Sequence, residues 1–137
     1  MRTWKLLAAS FFLILPMSLI AGDTCKIREI DAKDLKVDFE KGSVRKPQTF
    51  TSADDFDKAF KDADAIKKQV DFGKEKLLVF AWGGSGGDKL AAKLSDDGKT
   101  ATFSYTPGLT RDFRRHVHVY AIPKGAEFKI EGGGKGK

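Results

Sequence analysis

Apolar positions change their spacing several times along the chain, and each change marks an element. At residues 35–39, Leu35, Val37 and Phe39 alternate with Lys36 and Asp38, which predicts a half-buried strand. Phe56, Ala59, Phe60 and Ala63 recur at three- and four-residue intervals, the spacing of a helix with one apolar stripe. Thr51 and Ser52, followed by Asp55, resemble a capping box that opens this helix, and it is expected to end near Asp62 with a looser turn through Ile66 and Val70. Residues 77–82, Leu-Leu-Val-Phe-Ala-Trp, are apolar throughout and too few for a separate helix. They predict a central strand covered on both faces.

Beyond residue 88 the pattern is alternation. Leu90, Ala92 and Leu94 on one side and Ala101, Phe103 and Tyr105 on the other flank Asp96-Asp97-Gly98-Lys99, a hairpin chemistry. A loop at 106–112, a strand at 115–122, a turn at Pro123-Lys124-Gly125 and a last strand at 127–130 follow. The sum predicts an α+β domain, an antiparallel sheet of about five to six strands with one principal helix packed on it. Gly42 and Pro47 keep residues 41–47 out of a helix, so an N-terminal strand segment and linker (23–47) precedes the α+β domain (48–130). The tail, 131–137, has three consecutive glycines with little to bury and is expected to be disordered.

The charge-free run at residues 6–21 follows Arg2 and Lys5 and ends in small residues Ala21 and Gly22 before Asp23. This is the pattern of a secretory signal peptide, residues 1–22. The run is short of the roughly 20 apolar residues that cross a bilayer and is interrupted by Pro16, which favours cleavage over a retained anchor. Lipid attachment needs a cysteine directly after Gly22, whereas Asp23 and Thr24 precede Cys25. The expected location is therefore secreted or periplasmic, with no stable membrane insertion after cleavage.

Cleavage would leave 115 of the 137 residues, enough for one domain and one core. The leading segment holds two of the 25 basic residues and none of the 19 acidic ones, so the net formal charge falls from +6 to +4. With both signs interspersed, as in Asp54-Asp55-Phe56-Asp57-Lys58, this balance does not point to a nucleic-acid partner. A single cysteine excludes an internal disulfide; Cys25 could pair with another molecule or stay a free thiol, and a monomer is expected.

Candidate chemistry clusters in two places. Gly83-Gly84-Ser85-Gly86-Gly87 fits Gly-x-Ser-x-Gly, and Ser85, Asp112 and His116 follow in hydrolase order. That motif needs a helix directly after the serine, yet residues 89–95 alternate like a strand. As a phosphate cradle the loop lacks a Gly-Lys-Ser/Thr ending, and Asp88 would repel the anion. As a tip presented to a partner, beside Trp82, it needs neither. His116 and His118 would share one face of a strand and could grip a metal with Asp88 or Asp112, although two ligands do not make a site. Arg111, Arg114 and Arg115 form a positive patch suited to an anionic ligand.

The resulting expectation is an exported, non-enzymatic binding domain without a cofactor. Its contact residues would be Trp82, Gly84, Ser85, Gly86, Asp88, Arg111, Asp112, Arg114, Arg115, His116 and His118, and its partner another extracytoplasmic protein or an anionic ligand. The alternative is a small hydrolase, using Ser85 or a metal held by His116 and His118.

The order of features from residue 48 to 130 resembles the C-terminal domain of bacterial protease-complex stability proteins. The resemblance rests on the helix at 52–60, Val70-Asp71-Phe72, the strand 77–82 ending in glycine, the Gly-rich turn, the hairpin and the closing Ala121-Ile122-Pro123-Lys124. It differs at Gly86-Gly87-Asp88, where that family carries an aromatic after the glycine pair. The resemblance implies a non-catalytic extracytoplasmic domain that binds and stabilises a protease, with no catalytic residues.

Overall fold

The computed structural model describes residues 26–40 and 42–133; the expected signal peptide, Cys25 and residues 134–137 of the tail lie outside them. In chain order the elements are β1 (Arg28–Ile30), β2 (Gln48–Phe50), α1 (Ala53–Ala59), α2 (Asp64–Lys67), β3 (Glu75–Ser85), β4 (Lys89–Leu94), β5 (Thr100–Thr106), β6 (Phe113–Pro123) and β7 (Glu127–Gly132). Among the described residues the fold is sheet-rich, with two short helices.

The expected single sheet is instead two: a four-stranded antiparallel sheet in the order β1-β6-β3-β2, and a three-stranded sheet in the order β4-β5-β7. The continuous apolar run explains this layering. Residues 77–82 of β3 are all buried, with Leu77 and Val79 in one apolar cluster and Leu78, Phe80 and Trp82 in another. The first cluster joins the sheet to Phe56, Phe60 and Ile66 of the helical layer, and the second joins it to Ala101 and Phe103 of the smaller sheet. A strand buried on both faces needs a layer on each side, and each buried Leu or Phe contributes roughly 1.5–3 kcal/mol relative to exposure.

The turn at Pro123-Lys124-Gly125 was expected to continue an antiparallel sheet, but β7 pairs parallel to β5. Both edges of β6 near this turn are already occupied, by β1 at Val119, Tyr120 and Ala121 and by β3 throughout. β7 therefore crosses to the second sheet, where the Glu127 amide donates to the Lys99 carbonyl at 2.8 Å. Glu131 and Gly132, expected in the tail, belong to this strand, and Arg45 donates to the carbonyls of Gly132 and Gly133 at 3.2 and 2.9 Å.

The helix opens where its cap predicts. Ser52 is extended, and its hydroxyl accepts from the Asp55 amide at 3.2 Å, a cap worth about 1 kcal/mol. After α1 the predicted looser turn is a second helix, α2, whose Ile66 is buried.

Residues 35–39 keep their predicted alternation, with Leu35 buried and Lys36 and Asp38 exposed, but form no strand. The strand lies earlier, at β1. An Asx turn, in which the Lys33 amide donates to Asp31 at 3.1 Å, and a bond from the Leu35 amide to the Ala32 carbonyl at 3.0 Å bend the chain off β6. Leu35 and Val37 then pack into the helix-side cluster, so the alternation reports packing and not pairing.

Candidate functional site

The Gly-rich segment was expected to be a loop beyond a strand ending at residue 82. Gly83, Gly84 and Ser85 are instead the last residues of β3, paired with Arg115, Arg114 and Phe113 of β6. The reversal is confined to residues 85–88, closed by the Asp88 amide donating to the Ser85 carbonyl at 3.0 Å. Glycine is required here by close approach: a Cβ on Gly108 would collide with the backbone of Gly87 and Asp88. The turn and the 106–112 loop thus form one end of the molecule.

Asp88 ties that end together. Its carboxylate accepts the Trp82 indole N–H at 3.0 Å, the Tyr105 hydroxyl at 3.0 Å and the Gly108 amide at 2.7 Å. Burial alone would raise this carboxyl, but those three donors, with His116 nearby, hold it below its ordinary value. Burial and the Asp88 charge push the Tyr105 hydroxyl the other way, up.

A second set of bonds secures the tip. The hydroxyls of Ser85 and Thr110 are 2.6 Å apart, and the Gly87 amide donates to both at 3.2 Å. Asp112 accepts from the Gly86 amide at 3.2 Å and from Arg114 at 3.0 Å. Bonds from Thr110, Arg114 and Gly86, in that order of weight, lower its carboxyl to about 2.

Trp82, expected as an exposed recognition residue, is 4% exposed. It lies on the face of β3 that meets the second sheet, stacked on His116 and His118 with ring centroids 4.9 and 5.4 Å away. The two histidines do share a face, as their spacing predicts, but each is engaged elsewhere. His116 Nε2 donates to the Ser85 carbonyl at 2.7 Å, and His118 Nδ1 to Glu29 at 2.7 Å. Next to them Tyr120 is pushed up to about 12 by burial and then by the Glu29 charge. Among the described residues no group of three or more His, Cys, Asp or Glu is placed to hold a metal ion.

The hydrolase order is likewise not a hydrolase geometry. His116 meets the backbone oxygen of Ser85 and not its hydroxyl, and Asp112 is held by Gly86 and Arg114. A proton relay requires the nucleophile on the base and the base on the acid.

The arginine patch is divided by strand geometry, because consecutive residues point to opposite faces. Arg114 bonds Asp112, Arg115 lies 5.3 Å over the Phe39 ring, and Arg111 is exposed on the loop. What the sequence reading missed are the two large apolar residues at this end, Leu109 at 98% and Phe113 at 74% exposure. The Phe113 ring lies against Gly83, where a Cβ would strike it. Leu109 had a visible signal: an apolar residue in the Pro107-Gly108 loop that belongs to no periodic pattern.

Comparison with known proteins finds no matching family model, no matching curated protein and no matching solved structure.

Proposed function

We propose that the chain is an exported, non-enzymatic α+β binding domain that contacts another extracytoplasmic protein through the end formed by residues 83–88 and 106–113. The observation that carries this reading is the pair Leu109 and Phe113, large apolar side chains left in solvent on the 106–112 loop and at the first residue of β6, an end braced by Ser85, Thr110, Asp112 and Asp88. Exposed apolar anchors on a pre-ordered loop suit partner binding, because little entropy is lost when they are covered. In this reading Trp82, Asp88 and His116 support the tip from within, and Arg111 supplies charge beside it. The resemblance to protease-stabilising domains agrees with a protein partner, and the pattern of residues 1–22 supports export.

Two measurements test the reading. The intact mass of the protein recovered outside the cytosol is expected to lack residues 1–22; a mass that includes them overturns cleavage. The double variant Leu109→Ser, Phe113→Ser should fold with stability within about 0.5 kcal/mol of the parent, since both side chains are exposed. Immobilised in parallel with the parent and offered the extracytoplasmic fraction, it should retain partner about tenfold less well or worse. Equal capture of the same proteins by both chains overturns a tip-mediated role.

A further inference from the structure

β6 is paired by β3 along its whole length, whereas on its other side β1 covers Val119, Tyr120 and Ala121 alone. β1 runs toward the tip and leaves the sheet after Ile30, turned away at Asp31. Among the described residues no strand pairs with residues 113–118 on that side. In an antiparallel sheet alternate residues direct both backbone groups to the same edge, so half of this segment presents N–H and C=O groups outward.

The open edge has room beside it. A groove of about 460 Å³ runs between β6, at Arg115, Val117 and His118, and the diverging segment that carries Leu35 and Phe39. Its other wall holds Glu29 and Asp31, but Glu29 accepts its bond from His118 and Asp31 pairs with Lys33 at 3.2 Å. Arg115, which lies over Phe39, is therefore the cation of the groove left without a carboxylate among the described residues.

We propose that residues 113–118 of β6 form a strand-addition site for an extended, carboxylate-bearing segment of a partner protein, seated in the groove beside Arg115. The proposal rests on the reading of the chain as a protein-binding domain and names the chemistry of what it binds. Backbone bonding to the edge requires an extended segment, and alternate side chains of an added strand face one side, so every second residue can meet Arg115 and the Leu35–Phe39 wall. A second copy of this chain is the natural competitor for any open edge. A two-fold pairing of this segment with itself about Arg115 would set the two Arg115 side chains directly against each other, and like charges across strands oppose pairing. The same Arg115 favours an acidic strand.

The probe is a capped eight-residue peptide of alternating threonine and glutamate, titrated into the purified chain with amide hydrogen exchange and amide NMR shifts as readouts. Protection is expected at alternate residues within 113–118. The affinity should fall about tenfold in Arg115→Glu, as expected for loss of a charge-assisted contact. A peptide with lysine for glutamate should bind at least about tenfold more weakly. N-methylation of alternate peptide amides should abolish the protection, because it removes the donors that an added strand needs.

Absence of protection at 113–118, equal binding of the lysine peptide, or tolerance of N-methylation each overturns the proposal. So does protection of the same amides that rises with protein concentration without peptide, which would assign the edge to a second copy. The Leu109→Ser, Phe113→Ser variant separates this from the broader reading. Lost partner capture with no peptide effect on the parent leaves the tip reading standing, whereas normal capture with peptide protection retains only the edge.

Discussion

Asp88→Ala is expected to lower the stability of the fold by about 2–4 kcal/mol, because three donors lose one acceptor at once. The Trp82 indole is buried, and no other bond to it is seen among the described residues. The Tyr105 hydroxyl and the Gly108 amide lose the same carboxylate. Urea unfolding followed by tryptophan emission measures the loss, and a change below about 0.5 kcal/mol would show that the tip is held by other contacts. Asp88→Asn should lie between the parent and the alanine variant. It keeps the shape and one oxygen but cannot accept at both positions, where Oδ2 receives Trp82 and Tyr105 and Oδ1 receives Gly108.

The pH dependence has a definite sign. The folded Asp88 carboxyl lies below its ordinary 3.8, so its contribution is fully present above that value and is lost as pH falls through the lowered one. The parent should therefore lose stability on acidification below pH 3.8 more steeply than Asp88→Ala does.

Arg28→Ala is expected to destabilise by about 3 kcal/mol, the lower part of the range for breaking a buried pair because the arginine itself is half exposed. Glu75 is the buried charged residue among the described residues, 7% exposed at the start of β3. Arg28 grips both of its oxygens, at 3.0 and 2.8 Å, and also donates to the Gln69 carbonyl at 2.9 Å. Glu75 in turn accepts the Asp71 amide at 3.2 Å. This one pair joins a three-residue strand to the central strand and to the turn that enters it. Removing arginine alone strands a buried carboxylate; removing both charges, in Arg28→Met with Glu75→Gln, should recover most of the loss. Equal losses in the single and double variants would show that the carboxylate is not the source of the cost. Because β1 borders the groove, hydrogen exchange at Val119 and Ala121 should rise in Arg28→Ala.

Elements that depend on neighbours in sequence were legible before the fold. Ser52 and Asp55 marked the start of α1, the Asp97-Gly98 turn marked the β4–β5 hairpin, and the apolar run at 77–82 marked a strand covered on both faces. Elements that depend on competition for an edge were not. The alternation at 35–39 could not reveal that an Asx turn at Asp31 diverts it from β6, nor could Pro123-Lys124-Gly125 reveal that both edges of β6 beside that turn, at residues 119–121, were taken. The candidate residues divide the same way: the sequence brought Ser85, Asp88, Asp112 and His116 into consideration, and they do meet at one end of the molecule. Their roles were not legible, because a carboxylate that organises a turn and one that serves a reaction are the same residue type until its partners are known.

By itself, the sequence determined the pattern at 1–22 that suggests export, the sheet-rich character, the helix cap and the doubly covered strand, all encoded in spacings of a few residues. Tertiary structure alone decided that the strands divide into sheets of four and three, that Trp82 is buried while Leu109 and Phe113 are exposed, and that Arg114 and Arg115 part to opposite faces. The physical reason is that burial and edge pairing are exclusive. A face or an edge can be occupied once, and which segment occupies it is settled between residues far apart in the chain.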